Sequence, residues 1–254
     1  MRLLAWVDGR VVETSEFRTP LPYVMQRIHT LEGVAYNLDQ HIDIMRRESE
    51  RLFGFASVIG ANDAQRIIRR LVELSRVGST LSVPVVMRLD VSASLSFEVE
   101  IPSYGRGGYL RAKRDVGIPL VMDHTTSVAQ TSVSVANDAM ADCQVMHMGG
   151  CVAVWVDANG NAISRPWRPL FVYYKGAWFT PKEFDSVEYR VVVEAIAKIG
   201  QRLYVRDIPE SALDVVDEIF VADIMGLTSL SSIKNHRLLS SVTTRIASVM
   251  EPKI

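Results

Sequence analysis

The sequence has little cysteine: two residues in 254, Cys143 and Cys151. That is too few for a disulfide framework, so a reducing cytoplasm is the expected setting. It also lacks any run approaching the ~20 apolar residues of a membrane span. The opening stretch MRLLAWVDGR breaks its short apolar run at Asp8 and carries no small-residue cleavage site, so no membrane association is expected. Charge of one sign is absent as well. With 28 Lys and Arg against 29 Asp and Glu, the formal charge of -1 gathers neither nucleic acid nor an acidic membrane. The five histidines show no metal-ligand spacing, and neither Cys-x-x-Cys nor a glycine-rich phosphate loop occurs. Two absences are local: no lysine lies between Arg114 and Tyr174, and no carboxylate between Asp157 and Glu183.

What is present is a globular chain. At 48% hydrophobic residues it can bury about 70 to 75% of its unfolded surface, as one large or two smaller domains. Leu3 to Thr14 predicts a hairpin turning at Asp8-Gly9, and Tyr23–Leu31 with Val34–Leu38 a second one turning at Glu32-Gly33. A helical period follows from Asp39, a plausible N-cap, to Gly54; a second helix capped by Asn62 or Asp63 runs to Gly78. The arginines on these helices (Arg46, Arg47 and Arg51; Arg66, Arg69, Arg70 and Arg76) read as solvated faces rather than an anion site. Two alternating strands place Val83, Val85, Met87, Leu89 and Val91, then Leu95, Phe97, Val99 and Ile101, on the core side.

The composition breaks at PSYGRGG, 102–108, which reads as a linker between an N-terminal domain (1–101) and a C-terminal one (109–254). The second domain predicts a strand or strand pair over 109–122 and a helix over 132–148 whose polar residues include Asn137, Asp138, Asp142 and His147. A β meander is expected across 149–181: CVAVWV, the turn Asp157-Ala158-Asn159-Gly160, LFVYY, the turn Lys175-Gly176 and a strand ending at Thr180-Pro181. A helix capped by Asp185 or Ser186 follows to Gly200. The strand DEIFVAD, a loop and a second short strand fill 215–233, and a closing helix spans Leu238 to Met250.

That order (strand, Asp-x-x-Gly turn, strand, hairpin, Thr-Pro, helix with an arginine) resembles the large domain of the class IV aminotransferases, the fold-type-IV pyridoxal-phosphate (PLP) enzymes. The resemblance extends from Trp6-Val7-Asp8-Gly9 to Asp217-Glu218-Ile219-Phe220. It implies a two-domain α/β (α+β) fold and a homodimer. It also marks what is missing. The family's Schiff-base lysine falls at Gln130-Thr131; its pyridine-facing glutamate falls at Ser164; the arginine of its His-x-x-Arg-Leu pattern falls at Ile44 in His41-Ile42-Asp43-Ile44-Met45. The turn that holds phosphate becomes Val187-Glu188-Tyr189 ahead of Arg190, and the hydroxyl-bearing loop becomes Ile224-Met225-Gly226-Leu227-Thr228. No cofactor is expected, because productive PLP chemistry needs an amine, electronic tuning and anchoring together.

The residues left as candidates are Gln130, Ser164 and His124 for catalysis, His124 because an imidazole titrates in the range of acid-base work. A lone histidine is more often a hydrogen-bonded structural residue. Arg27, Tyr104, Arg106, Arg165, Trp167 and Arg168 are the candidates for substrate binding; the guanidinium and aromatic groups suit a small carboxylate-bearing or aromatic ligand. The expected function is a PLP-independent enzyme on an amino-acid-like or aromatic carboxylate in a specialised biosynthetic pathway. The alternatives are a non-catalytic ligand-binding or partner subunit and a residual PLP-dependent aminotransferase or lyase.

Overall fold

A computed structural model describes residues 3–56, 59–76, 82–100, 113–123 and 129–250. The chain forms two compact units, Met1–Gly108 with Ala129–Val133, and Tyr109–Val128 with Ser134–Ile254.

In the first unit, β1 (Leu4–Val7) and β2 (Arg10–Glu13) form a hairpin, as do β3 (Tyr23–Leu31) and β4 (Val34–Ala35). Both turns need two consecutive positive φ angles, and both have them: 44° and 93° at Asp8-Gly9, 53° and 76° at Glu32-Gly33. Helices α1 (Leu38–Phe53) and α2 (Ala61–Leu74) follow, then β5 (Ser82–Asp90) and β6 (Leu95–Val99). The strands form one antiparallel sheet in the order β2-β1-β6-β5-β3-β4. The apolar stripes of the helices, Ile42 and Met45 on α1, Ile68 and Leu71 on α2, close over Ile28, Val85, Met87 and Phe97.

Details differ from expectation at the ends of elements. The helix over 38–53 begins one residue before Asp39, behind a left-handed Asn37, and α2 is entered from Gly60, which leaves Asn62 and Asp63 inside its first turn. Carboxylates still favour those positions through the helix dipole, which is why the sequence cue fell within three residues of the true start. Helix α2 ends at Leu74, short of Gly78, and Val91 lies beyond β5 and is exposed.

The second unit holds β7 (Lys113–Val121), α3 (Ser132–His147), β8 (Val152–Val156), β9 (Leu170–Tyr174), β10 (Ala177–Thr180), α4 (Val187–Lys198), β11 (Leu203–Val205), β12 (Glu218–Asp223), β13 (Gly226–Ile233), β14 (His236–Arg237) and α5 (Ser241–Met250). Its eight-stranded sheet runs β11-β10-β9-β12-β13-β7-β8, with β14 on β13. The expected meander is therefore corrected. Within 149–181 only β9 and β10 form a hairpin, at Lys175-Gly176, while β8 lies at the sheet edge, parallel to β7. A parallel neighbour requires a crossover, and α3 supplies it. The Asp157–Gly160 turn closes no strand pair, only the single bridge between Val156 and Ala162. The second strand after DEIFVAD is eight residues long rather than short.

Helix α3 packs Ala141 and Val145 on Leu120, Ala153 and Trp155. Gly150, where the chain leaves α3, has no room for a side chain: a Cβ would stand 2.6 Å from Ile118. In the middle of the sheet, Phe171 stacks on Phe220 and Tyr189, with ring centroids at 5.1 and 5.7 Å.

Candidate functional site

The chain between β8 and β9 is where the polar candidates concentrate. After β8 it turns at Asp157, whose carboxylate accepts from the backbone N–H groups of Asn159 and Asn161. The Ile163 N–H then donates to the Trp155 carbonyl at 2.7 Å, holding the entry of the segment against the sheet edge. Ser164 follows, buried, with its Oγ accepting the Leu170 N–H at 2.9 Å. Ser186, the N-cap of α4, donates its hydroxyl to the Pro166 carbonyl at 2.6 Å and accepts from the Tyr189 N–H. The 164–170 loop is thus pinned at both ends and in the middle.

Its two arginines point at one helix. Asp138 and Asp142 stand four residues apart on α3, which puts their carboxylates one above the other on the same face. The Arg165 guanidinium pairs with Asp138, whose second oxygen accepts the Trp167 indole N–H at 2.6 Å. Arg168 reaches Asp142 at 3.2 and 3.3 Å through one nitrogen. Arg165 is only 2% exposed and lies 4.0 Å from the centre of the Trp155 ring. Burial lowers its pKa to about 10, with the Asp138 carboxylate opposing that shift, so it stays charged at neutral pH. Its Nε and the Trp155 indole nitrogen have no hydrogen-bond partner among the described residues. Arg168 differs: its side chain is 20% exposed and only Nη1 is engaged among the described residues.

The first unit holds Arg27 and Gln130. Arg27 donates through Nε and Nη2 to Glu100 at 3.0 and 2.5 Å. The Gln130 carbonyl accepts the Met25 N–H at 2.8 Å, and Thr131 bridges to Val24, so the stretch where the resemblance puts a lysine extends the edge of β3. His41, buried on α1, shares a 3.0 Å hydrogen bond with Gln26. Burial, with His29 nearby, lowers its pKa to about 3, so it is neutral. His124, Tyr104 and Arg106 lie outside the described residues.

The positions where the resemblance expects phosphate contacts are filled differently. Ile44 is buried on α1, within the first unit. In the second unit, Val187, Glu188 and Tyr189 are all buried, and Arg190 pairs with Asp185. The expected hydroxyl loop is a two-residue turn: Asp223 pairs with Gly226, and Ile224 and Met225 are buried within it at 2% and 1% exposure. Thr228 belongs to β13, opposite Val221. Among these described residues there is no cationic cradle and no amine where the resemblance puts them, so they do not fit PLP.

The carboxylates that complete the cluster, Asp138 and Asp142, stood among the polar residues of the predicted helix without an assigned role. Their i, i+4 spacing on a helix with no other aspartate and no glutamate, lysine or arginine is the signal that could have found them.

No family model matches the sequence, and no curated protein matches it. Solved structures match it in fold. The branched-chain aminotransferase of Thermoproteus uzoniensis with norvaline superposes with a TM-score of 0.79 at 18% identity, covering 98% of this chain and 94% of that one. An aminotransferase from Brucella abortus bound to PLP gives 0.79 at 16%, covering 98% of each. The branched-chain aminotransferase of Escherichia coli gives 0.74 at 13%, covering 97% and 92%. The chain has the mixed α and β fold of these enzymes.

Proposed function

We propose that this chain is a PLP-independent enzyme built on a class IV aminotransferase scaffold, acting on an amino-acid-like or aromatic carboxylate. The observation that carries the reading is Ser164. It stands where the resemblance puts the pyridine-facing glutamate, and its hydroxyl holds the Leu170 backbone instead of facing a ring nitrogen. The buried Ile224-Met225 turn and the Asp185–Arg190 pair support it in the same direction, because neither offers a phosphate an open donor set.

Arg168 is the group best suited to the substrate. Its single-nitrogen contact with Asp142 leaves Nε and Nη2 for a carboxylate, and a two-pronged guanidinium contact fixes the orientation of an acid as well as its position. Arg165, committed to Asp138 and stacked on Trp155, instead holds the loop that presents Arg168. Titration calorimetry with phenylpyruvate and 4-methyl-2-oxopentanoate tests this: Arg168→Met is expected to weaken binding by about tenfold with little change in stability. Equal affinity in wild type and variant contradicts the assignment.

A second reading, a non-catalytic ligand-binding or partner subunit, is favoured by one observation: both arginines of the loop already have aspartates of their own. Turnover of a bound carboxylate separates the two. By the same resemblance we take the assembly to be a homodimer, which sedimentation equilibrium tests.

A further inference from the structure

Beside the first turns of α4 the second unit opens a cavity of ≈ 460 Å³, within the range of small-molecule sites. Its walls are Phe184 and Tyr189 on the aromatic side, Val193 at one flank, and Glu183, Asp185 and Glu194 with Arg190 around them. The two aromatic rings meet edge to face at 6.0 Å. Three carboxylates stand against one guanidinium, and that guanidinium is paired with Asp185. Glu183 and Glu194 have no ion-pair partner among the described residues.

Two further observations show what this wall accepts. Lys182 carries its ammonium 5.7 Å from the centre of the Phe184 ring, so that ring already takes a cation. Tyr189 is 4% exposed, yet its hydroxyl makes no hydrogen bond to the described residues. That hydroxyl is not sealed from solvent, so a ligand in the cavity can take it as a partner. Burial raises the Tyr189 pKa, and the Glu183 charge adds to that shift in the same direction.

The N-terminus of α4 opposes a cation, but only by about half a charge confined to the first turn. Glu188 sits within that turn, and the Ser186 hydroxyl occupies one of the exposed N–H groups. Two unpaired carboxylates outweigh what remains. We propose that this cavity binds a small organic ammonium ion, with its amine between Glu183 and Glu194 and its carbon body against Phe184 and Tyr189. The site rests on side chains that the carboxylate reading does not use, so either can fail without the other.

Calorimetry of the full chain with benzylammonium at low ionic strength tests it, with benzyl alcohol as the uncharged isostere. The expected result is one saturable site, at least about tenfold weaker for the alcohol. The double substitution Glu183→Gln with Glu194→Gln is expected to weaken the amine by a similar factor, and Glu194→Arg, which sets a fixed cation beside the amine, to abolish binding. Far-UV circular dichroism establishes that each variant is folded; if the double variant is not, Glu194→Arg and the alcohol decide. Absence of saturation at about 10 mM amine, equal binding of amine and alcohol, or binding that survives Glu194→Arg would overturn the proposal.

Discussion

The 164–170 loop and the turn at 223–226 both stand where the resemblance expects cofactor contacts, and they are built in opposite ways. The loop carries charge, and its Arg165 and Arg168 are met by Asp138 and Asp142, four residues apart on α3. The turn carries hydrocarbon, Ile224 and Met225, buried in the core. A buried charge binds two distant segments to each other, whereas a buried methyl binds only to its immediate neighbours. The loop can therefore still present a polar group, Arg168, in a fixed place; the turn cannot.

This contrast can be broken most severely at Asp138. Replacing it with alanine leaves the Arg165 guanidinium buried without its counter-charge and takes the acceptor from Trp167. Urea unfolding is expected to show a loss of about 3 to 5 kcal/mol. A loss below about 1 kcal/mol would mean that the pair is only a surface contact. At the turn, Ile224→Ala is expected to cost about 2 to 4 kcal/mol through the cavity it leaves. Adding PLP should restore none of it, and a PLP-dependent recovery of stability would show that the turn still faces a cofactor.

A third arrangement sharpens the comparison, because His41 is buried polar without being charged. Its pKa in the folded chain, about 3, lies below the unfolded value of 6.5. The unfolded chain therefore takes up the proton first as pH falls. The stability that this neutral histidine permits is complete above pH 6.5 and is lost progressively toward pH 3. Between about pH 6.5 and 4.5 the loss from this one group is on the order of 2 kcal/mol, and it should vanish in His41→Gln. An unchanged pH slope in that variant would assign the effect to other groups.

Much of the fold was legible because its signals are local. Asp8-Gly9, Glu32-Gly33 and Lys175-Gly176 each supply the two positive φ angles of a tight hairpin. The place of β8 was not legible. CVAVWV is apolar throughout, which marks burial but not whether the neighbour is the next strand or one reached through a helix. The same limit applied to the site. Ser164, Arg165, Trp167 and Arg168 could be picked out because they lie in one short segment, yet the partners of Arg165, Trp167 and Arg168 come 26 to 29 residues earlier. Helix α3 gives little directional signal of its own: Val133, Met140 and Met146 are exposed while Ala141 and Val145 are buried. Only its packing on Trp155 and Ala153 turns Asp138 and Asp142 toward the loop.

The central claim is that this scaffold works without PLP. The most direct test is the absorption spectrum of the purified protein titrated with PLP, followed by borohydride reduction and mass spectrometry of its peptides. The account predicts no aldimine band and no modified lysine. A visible-edge band that borohydride fixes onto one lysine would contradict it, and the modified residue would show where the chain holds the cofactor.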